Sequence, residues 1–140
     1  MDLHTQKCLV SACLTGLCTR YDGQSKANAD CLRRLAHCPH WIPVCPEQLG
    51  GLPTPRSAAR LVGGDGHDVL AGRAQVIDLL GNDLSAAFIQ GAQMVLDIAR
   101  MQRITLCLFK SGSPSCGLEP LAGVTAALLR AHDIAVVSYG

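Results

Sequence analysis

Aromatic residues are scarce. Trp, Tyr and Phe make up 4% of the chain, too few to build a stacking platform for single-stranded nucleic acid. Charge is scarce as well: Asp, Glu, Lys and Arg together account for 16%, and the formal net charge is +1. So small a net charge gives no general pull toward nucleic acid or an anionic membrane. No apolar run approaches the roughly 20 residues that a membrane span needs. The short apolar run after the polar segment Met1–Lys7 does not make a secretion signal. There is no Cys-x-x-Cys pair, which excludes zinc-finger and ferredoxin-type runs. The five histidines, His4, His37, His40, His67 and His132, show no metal-ligand spacing and are read as surface or structural.

What the chain does have is cysteine, eight of them in 140 residues, on a 49% hydrophobic background. That length and composition fit one globular domain, residues 1–140, with a buried core. A reducing cytoplasm is the expected compartment, and there clustered cysteines signal metal or catalysis rather than disulfides.

Apolar runs alternate with helical patterns along the sequence. Strands are expected at Lys7–Val10, Trp41–Val44, Ile104–Phe109 and Ile134–Ser138. Helices are expected over 24–36, from about Gly81–Asp83 to Gln102, and over 121–132. Asn82 or Asp83 would cap the second of these. Loops are expected at 11–23 and 46–55, a weakly patterned stretch at 57–70, and a short hairpin arm at 69–78. Alternating strands and helices predict an α/β, Rossmann-like three-layer domain with a mostly parallel sheet of about four main strands.

Three cysteines sit just past the carboxyl ends of expected strands: Cys13 after Cys8-Leu9-Val10, Cys45 after Trp41–Val44, and Cys116 after Ile104–Phe109. Ligands of open α/β sheets bind at those ends. If the strands are parallel neighbours, the three thiols share one crevice, which suggests a metal or cluster with one position left open. The competing reading is three small buried residues, since free cysteine is among the most buried types. Cys8, Cys31 and Cys107 fall inside strands or on a helix face and are read as core, with Cys31 out of reach of the crevice. Cys18 and Cys38, in or near loops, are weaker candidate ligands. The same loops carry Glu47, Ser113, Ser115, Arg20, Asp22, Arg56 and Lys110. A carboxylate beside a metal can act as a general base, and a hydroxyl can relay a proton.

Three motifs, in order, carry a resemblance. They are Leu9-Val10-Ser11-Ala12-Cys13-Leu14 with Arg20-Tyr21-Asp22-Gly23; Val44-Cys45-Pro46-Glu47 with Gly50-Gly51-Leu52-Pro53-Thr54-Pro55-Arg56; and Lys110 with Ser113-Pro114-Ser115-Cys116-Gly117. Together, over about Lys7–Ser138, the chain resembles the small bacterial thiouracil desulfidase family, once catalogued only as a domain of unknown function. The resemblance implies a 4Fe–4S cluster held by Cys13, Cys45 and Cys116, with one iron not bound by protein. It implies catalytic roles for Glu47 and Ser113. Arg20, Asp22, Arg56, Lys110 and Ser115, in the same loops, are expected to contact a small thiolated pyrimidine. The expected reaction converts C=S to C=O and releases hydrosulfide. A non-catalytic metal or iron–sulfur module, acting as a sulfur carrier or sensor, is the alternative. A cysteine enzyme using Cys116 as nucleophile ranks last, because no histidine is placed to activate it. Neither nucleic acid nor membrane is an expected partner, and oligomeric state is left open. One departure stands out: only Leu118–Ala122 separates Cys116-Gly117 from Gly123-Val124-Thr125, where family members usually carry a longer loop.

Overall fold

The computed structural model describes residues 7–140, so His4 lies outside the described residues. In chain order the elements are β1 (Lys7–Ser11), a 3-10 turn (Ala12–Thr15), α1 (Ala29–Leu35), β2 (His40–Val44), α2 (Pro46–Leu49), β3 (Ala59–Val62), α3 (Gly66–Leu70), β4 (Gln75–Asp78), α4 (Ser85–Gln102), β5 (Leu106–Lys110), α5 (Val124–Ala131) and β6 (Ala135–Tyr139). The main sheet runs β2-β1-β5-β6, and all of its pairings are parallel.

Parallel strands covered on both faces read as continuous apolar runs. β1 and β5 do so, and the pleat sends alternate residues to opposite layers. Leu9, Cys107 and Phe109 pack with Val95, Leu96 and Ala99 of α4 and Leu129 of α5. Cys8, Val10, Leu106 and Leu108 pack with Leu14 and with Cys31 and Leu35 of α1. This is the expected three-layer arrangement. β3 and β4 form a separate antiparallel pair. They join α3 around Val76, Phe88 and Val124 in a third apolar cluster. β2 is an edge strand. It contains Pro43, which has no N–H to donate and is tolerated in a strand where that position faces away from a partner.

Several boundaries differ from the sequence reading. The first helix begins at Ala29, because the Asn28 side chain accepts from Cys31 N at 2.9 Å and caps it there. The loop expected at 46–55 opens with a helical turn, α2, with proline in its first turn, where the missing donor costs nothing. The weak stretch at 57–70 holds β3 and α3, and the hairpin expected within 69–78 is instead β3 paired with β4. α3 is fixed by a reciprocal cap: Asp65 Oδ1 accepts from Asp68 N at 3.1 Å, and Asp68 Oδ2 from Asp65 N at 3.0 Å. α4 starts at Ser85 with Leu84, not Asn82 or Asp83, at its cap position, although Asp83 Oδ1 still accepts from Ser85 N at 2.9 Å. The last helix starts at Val124 rather than 121, because 118–122 is bent into a turn before it. Among the described residues, no helix is long and apolar enough to cross a membrane.

Candidate active site

β2, β1 and β5 are consecutive in the sheet, so the segments leaving their carboxyl ends meet over one cavity of about 210 Å³. Cys13, Cys45 and Cys116 all line it, together with Arg20, Glu47, Arg56, Lys110, Ser113 and Ser115. Each thiol is placed by a different local device. Cys13 lies in the 3-10 turn directly after β1. Cys45 occupies the cap position of α2. Cys116 follows the turn 111–115 after β5, which is tied to the start of α5 by Val124 N on Pro114 O and by Thr125 N and Ala126 N on Ser115 O.

α2 is held unusually close to α4. A Cβ on Gly91 would stand 2.0 Å from Pro46 O, and one on Gly50 2.1 Å from Ala87 O. Only glycine permits that approach. It anchors the turn that carries both Cys45 and Glu47.

Burial pushes all three thiols up from their ordinary range. The Cys45 thiolate raises Cys13 and Cys116 further, so the three sense one another's charge. Lys110 and Arg20 pull Cys13 back down, and the Ser11 and Ser115 hydroxyls do so for Cys116. Burial also lowers Lys110, with Arg20 and Lys26 adding to the effect. Neutral thiols are the resting form of such a site, and a cationic group would reverse that. Among the described residues, no three or more of His, Cys, Asp and Glu close on a point that would hold a single metal ion. Three cysteine sulfurs lining one cavity are a soft donor set, and that chemistry fits an iron–sulfur cluster.

The polar side of the cavity is a directed chain. Ser113 Oγ accepts from Ser115 N and Cys116 N, both at 3.1 Å. Those bonds use its acceptor capacity, which leaves it to donate its one hydrogen to Ser115. It meets Ser115 Oγ at 2.9 Å, and Ser115 Oγ donates to Glu47 Oε2 at 2.9 Å. Glu47 Oε1 accepts from Arg56 Nε at 2.9 Å.

Two residues the sequence reading did not assign also belong here. Ser11, 2% exposed, accepts from Lys110 N at 2.9 Å and lines the cavity beside Cys116. Its place two residues before Cys13 was the available signal. Thr19 contributes its carbonyl oxygen, which accepts from Arg56 Nη2 at 3.1 Å and from Cys45 Sγ at 3.8 Å. No side-chain pattern announces a backbone acceptor. Asp22 does not line the cavity; it pairs with Arg20 at 3.8 Å and accepts from Gln24 N. Arg20 also lies over the Tyr21 ring, 5.5 Å from its centre. Cys31 and Cys107 are core residues, and Cys8 lies 3.1 Å from Cys38, away from the cavity wall. Cys18 is exposed.

The profile of the 2-thiouracil desulfurase family matches residues 8–139. The uncharacterized protein YbbK of Bacillus subtilis (strain 168) is 37% identical over 142 residues, covering 93% of this chain and 93% of its own. A solved structure of the 4Fe–4S-dependent thiouracil desulfidase TudS is 39% identical and superposes with a TM-score of 0.78. It covers 95% of this chain and 90% of that one.

Proposed function

Because the chain belongs to the 2-thiouracil desulfurase family, we propose that it is an iron–sulfur-dependent desulfidase acting on small thiolated pyrimidines such as 2-thiouracil. The observation that carries this is the cavity itself, where Cys13, Cys45 and Cys116 face Glu47 and Ser113. Cys13, Cys45 and Cys116 would hold a 4Fe–4S cluster, and three protein ligands leave one of four irons without one. When bound, the cluster supplies a Lewis-acidic iron with affinity for thiocarbonyl sulfur.

The chain's own residues do the proton work. Glu47 is fixed by Arg56 on one oxygen and Ser115 on the other, and its Oε2 takes a proton from water attacking the thiocarbonyl carbon. The Ser113 and Ser115 hydroxyls donate in one direction, Ser113 to Ser115 and Ser115 to Glu47, a relay along which a proton entering at Ser113 can pass to Glu47 Oε2. Arg20 and Lys110 put positive charge on the cavity wall, where a polarised pyrimidine would lie. Water enters, oxygen replaces sulfur and hydrosulfide leaves, so the reaction is redox-neutral. Eight cysteine thiols suit a reducing cytoplasm. A net charge of +1 argues against tRNA as the direct partner of this chain.

The test is anaerobic reconstitution with iron and sulfide, followed by incubation with 2-thiouracil. Uracil and hydrosulfide should appear in equal amounts. A protein that binds iron and sulfide but releases neither product would favour the carrier or sensor reading instead.

A further inference from the structure

Arg56 is one of the residues the sequence assigns to substrate contact, yet its guanidinium has nothing left to offer a substrate. It carries five N–H donors. Nε donates to Glu47 Oε1 at 2.9 Å. Nη1 donates to Pro53 O at 3.1 Å and Thr54 Oγ1 at 2.9 Å. Nη2 donates to Thr19 O at 3.1 Å and reaches Cys45 Sγ at 3.9 Å. The side chain is 7% exposed, and its own N–H is taken by Tyr21 O at 2.7 Å. Swinging the guanidinium toward a ligand would strip the largely shielded Glu47 carboxylate of its ion pair and the Thr19 and Pro53 carbonyls of their donor, which is costly.

These partners come from three separate stretches: the segment after β1, the start of α2, and Pro53–Thr54. Resting on the desulfidase reading above, we propose that Arg56 is a positioning residue that locks the orientation of Glu47 and the direction of the Cys45 sulfur, and that it does not bind substrate. A planar fork can hold five acceptors at once, and a lysine ammonium cannot. Mispositioning of a reacting group by about 1 Å can cost on the order of 10²-fold in rate.

The experiment compares reconstituted wild type, Arg56→Lys, Glu47→Gln and the double variant. Arg56→Lys should lower kcat for 2-thiouracil by about 10–10²-fold and leave KM, and the calorimetric Kd for uracil, within about threefold. In the Glu47→Gln background the same change should cost little more, because the residue it orients no longer acts. A tenfold weaker uracil Kd with kcat retained, or full additivity with Glu47→Gln, would make Arg56 a substrate anchor and overturn the proposal. Iron per chain and the thermal midpoint read the hold on Cys45 without turnover, and both should fall in Arg56→Lys. If both respond but wild type does not turn over 2-thiouracil, the desulfidase reading fails and the placement of Arg56 stands. If wild type is active and neither responds, the placement fails. Should Arg56→Lys not fold, Thr54→Val removes one acceptor of the fork and leaves all charges in place. It should lower kcat several-fold at unchanged KM, and an unchanged kcat would equally overturn the proposal.

Discussion

Ser113 shows how much can turn on a single oxygen. With two backbone amides on it, it can donate but not accept, which gives the Ser113–Ser115–Glu47 chain its direction. The cysteines and the carboxylate divide the labour differently, and substitutions should separate them. On the proposed reading, Cys116→Ala removes a cluster ligand from a nearly fully buried position. The cluster should be lost, leaving a colourless and inactive protein. Glu47→Gln keeps size but removes the proposed base, so the protein should remain brown and bind iron normally while kcat falls by about 10²–10⁴-fold. The check is the visible spectrum and iron content of each variant beside its turnover of 2-thiouracil. A Glu47→Gln variant turning over at the wild-type rate with full iron would dismiss Glu47 as the base.

At the scale of elements, the site depends on how closely α2 lies on α4. Gly91→Ala would drive a methyl group into Pro46 O, forcing α2 and its Cys45 and Glu47 outward. Overpacking of that kind costs about 1–3 kcal/mol. Urea denaturation should show that loss, and iron retention should fall with it, whereas exposed Gln93→Ala on the same helix should change neither. The cap of α3 gives a pH-dependent counterpart. Hydrogen bonding from the Asp68 amide, with help from His67, holds Asp65 below its ordinary value of 3.8. A depressed carboxylate contributes stability above its unfolded value and loses it as pH falls through the folded one. Asp65→Ala should therefore cost about 1 kcal/mol at pH 7, and the gap to wild type should close below pH 3.8. Equal gaps at neutral and strongly acid pH would show that the carboxylate's charge is irrelevant. These short elements were the hardest to read from sequence. α2 has four residues and β3 four, too few for any period to emerge, and a glycine follows each. α4 was legible because Phe88, Ala92, Val95, Leu96 and Ala99 repeat at helical spacing over 18 residues.

At the scale of the molecule, the three thiols belong to one another only through the sheet. They stand roughly thirty and seventy positions apart in sequence, and the order β2-β1-β5 makes them neighbours. The residue types and their positions after strands could be read in advance. The adjacency of those strands could only be conjectured from their alternation with helices, and the carbonyl of Thr19 and the filled donor set of Arg56 could not be read at all. A site assembled this way is absent from the unfolded chain, so a ligand group held there stabilises the fold by mass action. Reconstitution should raise the thermal midpoint over the cluster-free protein, and a Cys13→Ala variant should show no such rise. A rise of equal size in that variant would mean that iron and sulfide bind elsewhere.

Pro43 carries a consequence beyond the fold. Its strand forms the open margin of the sheet, and one position there has no hydrogen to offer a passing chain. An open margin is where separate molecules add strands to one another and begin to aggregate. The interruption falls on the strand that leads directly to Cys45, so the margin beside that thiol is poorly suited to zip onto a neighbour.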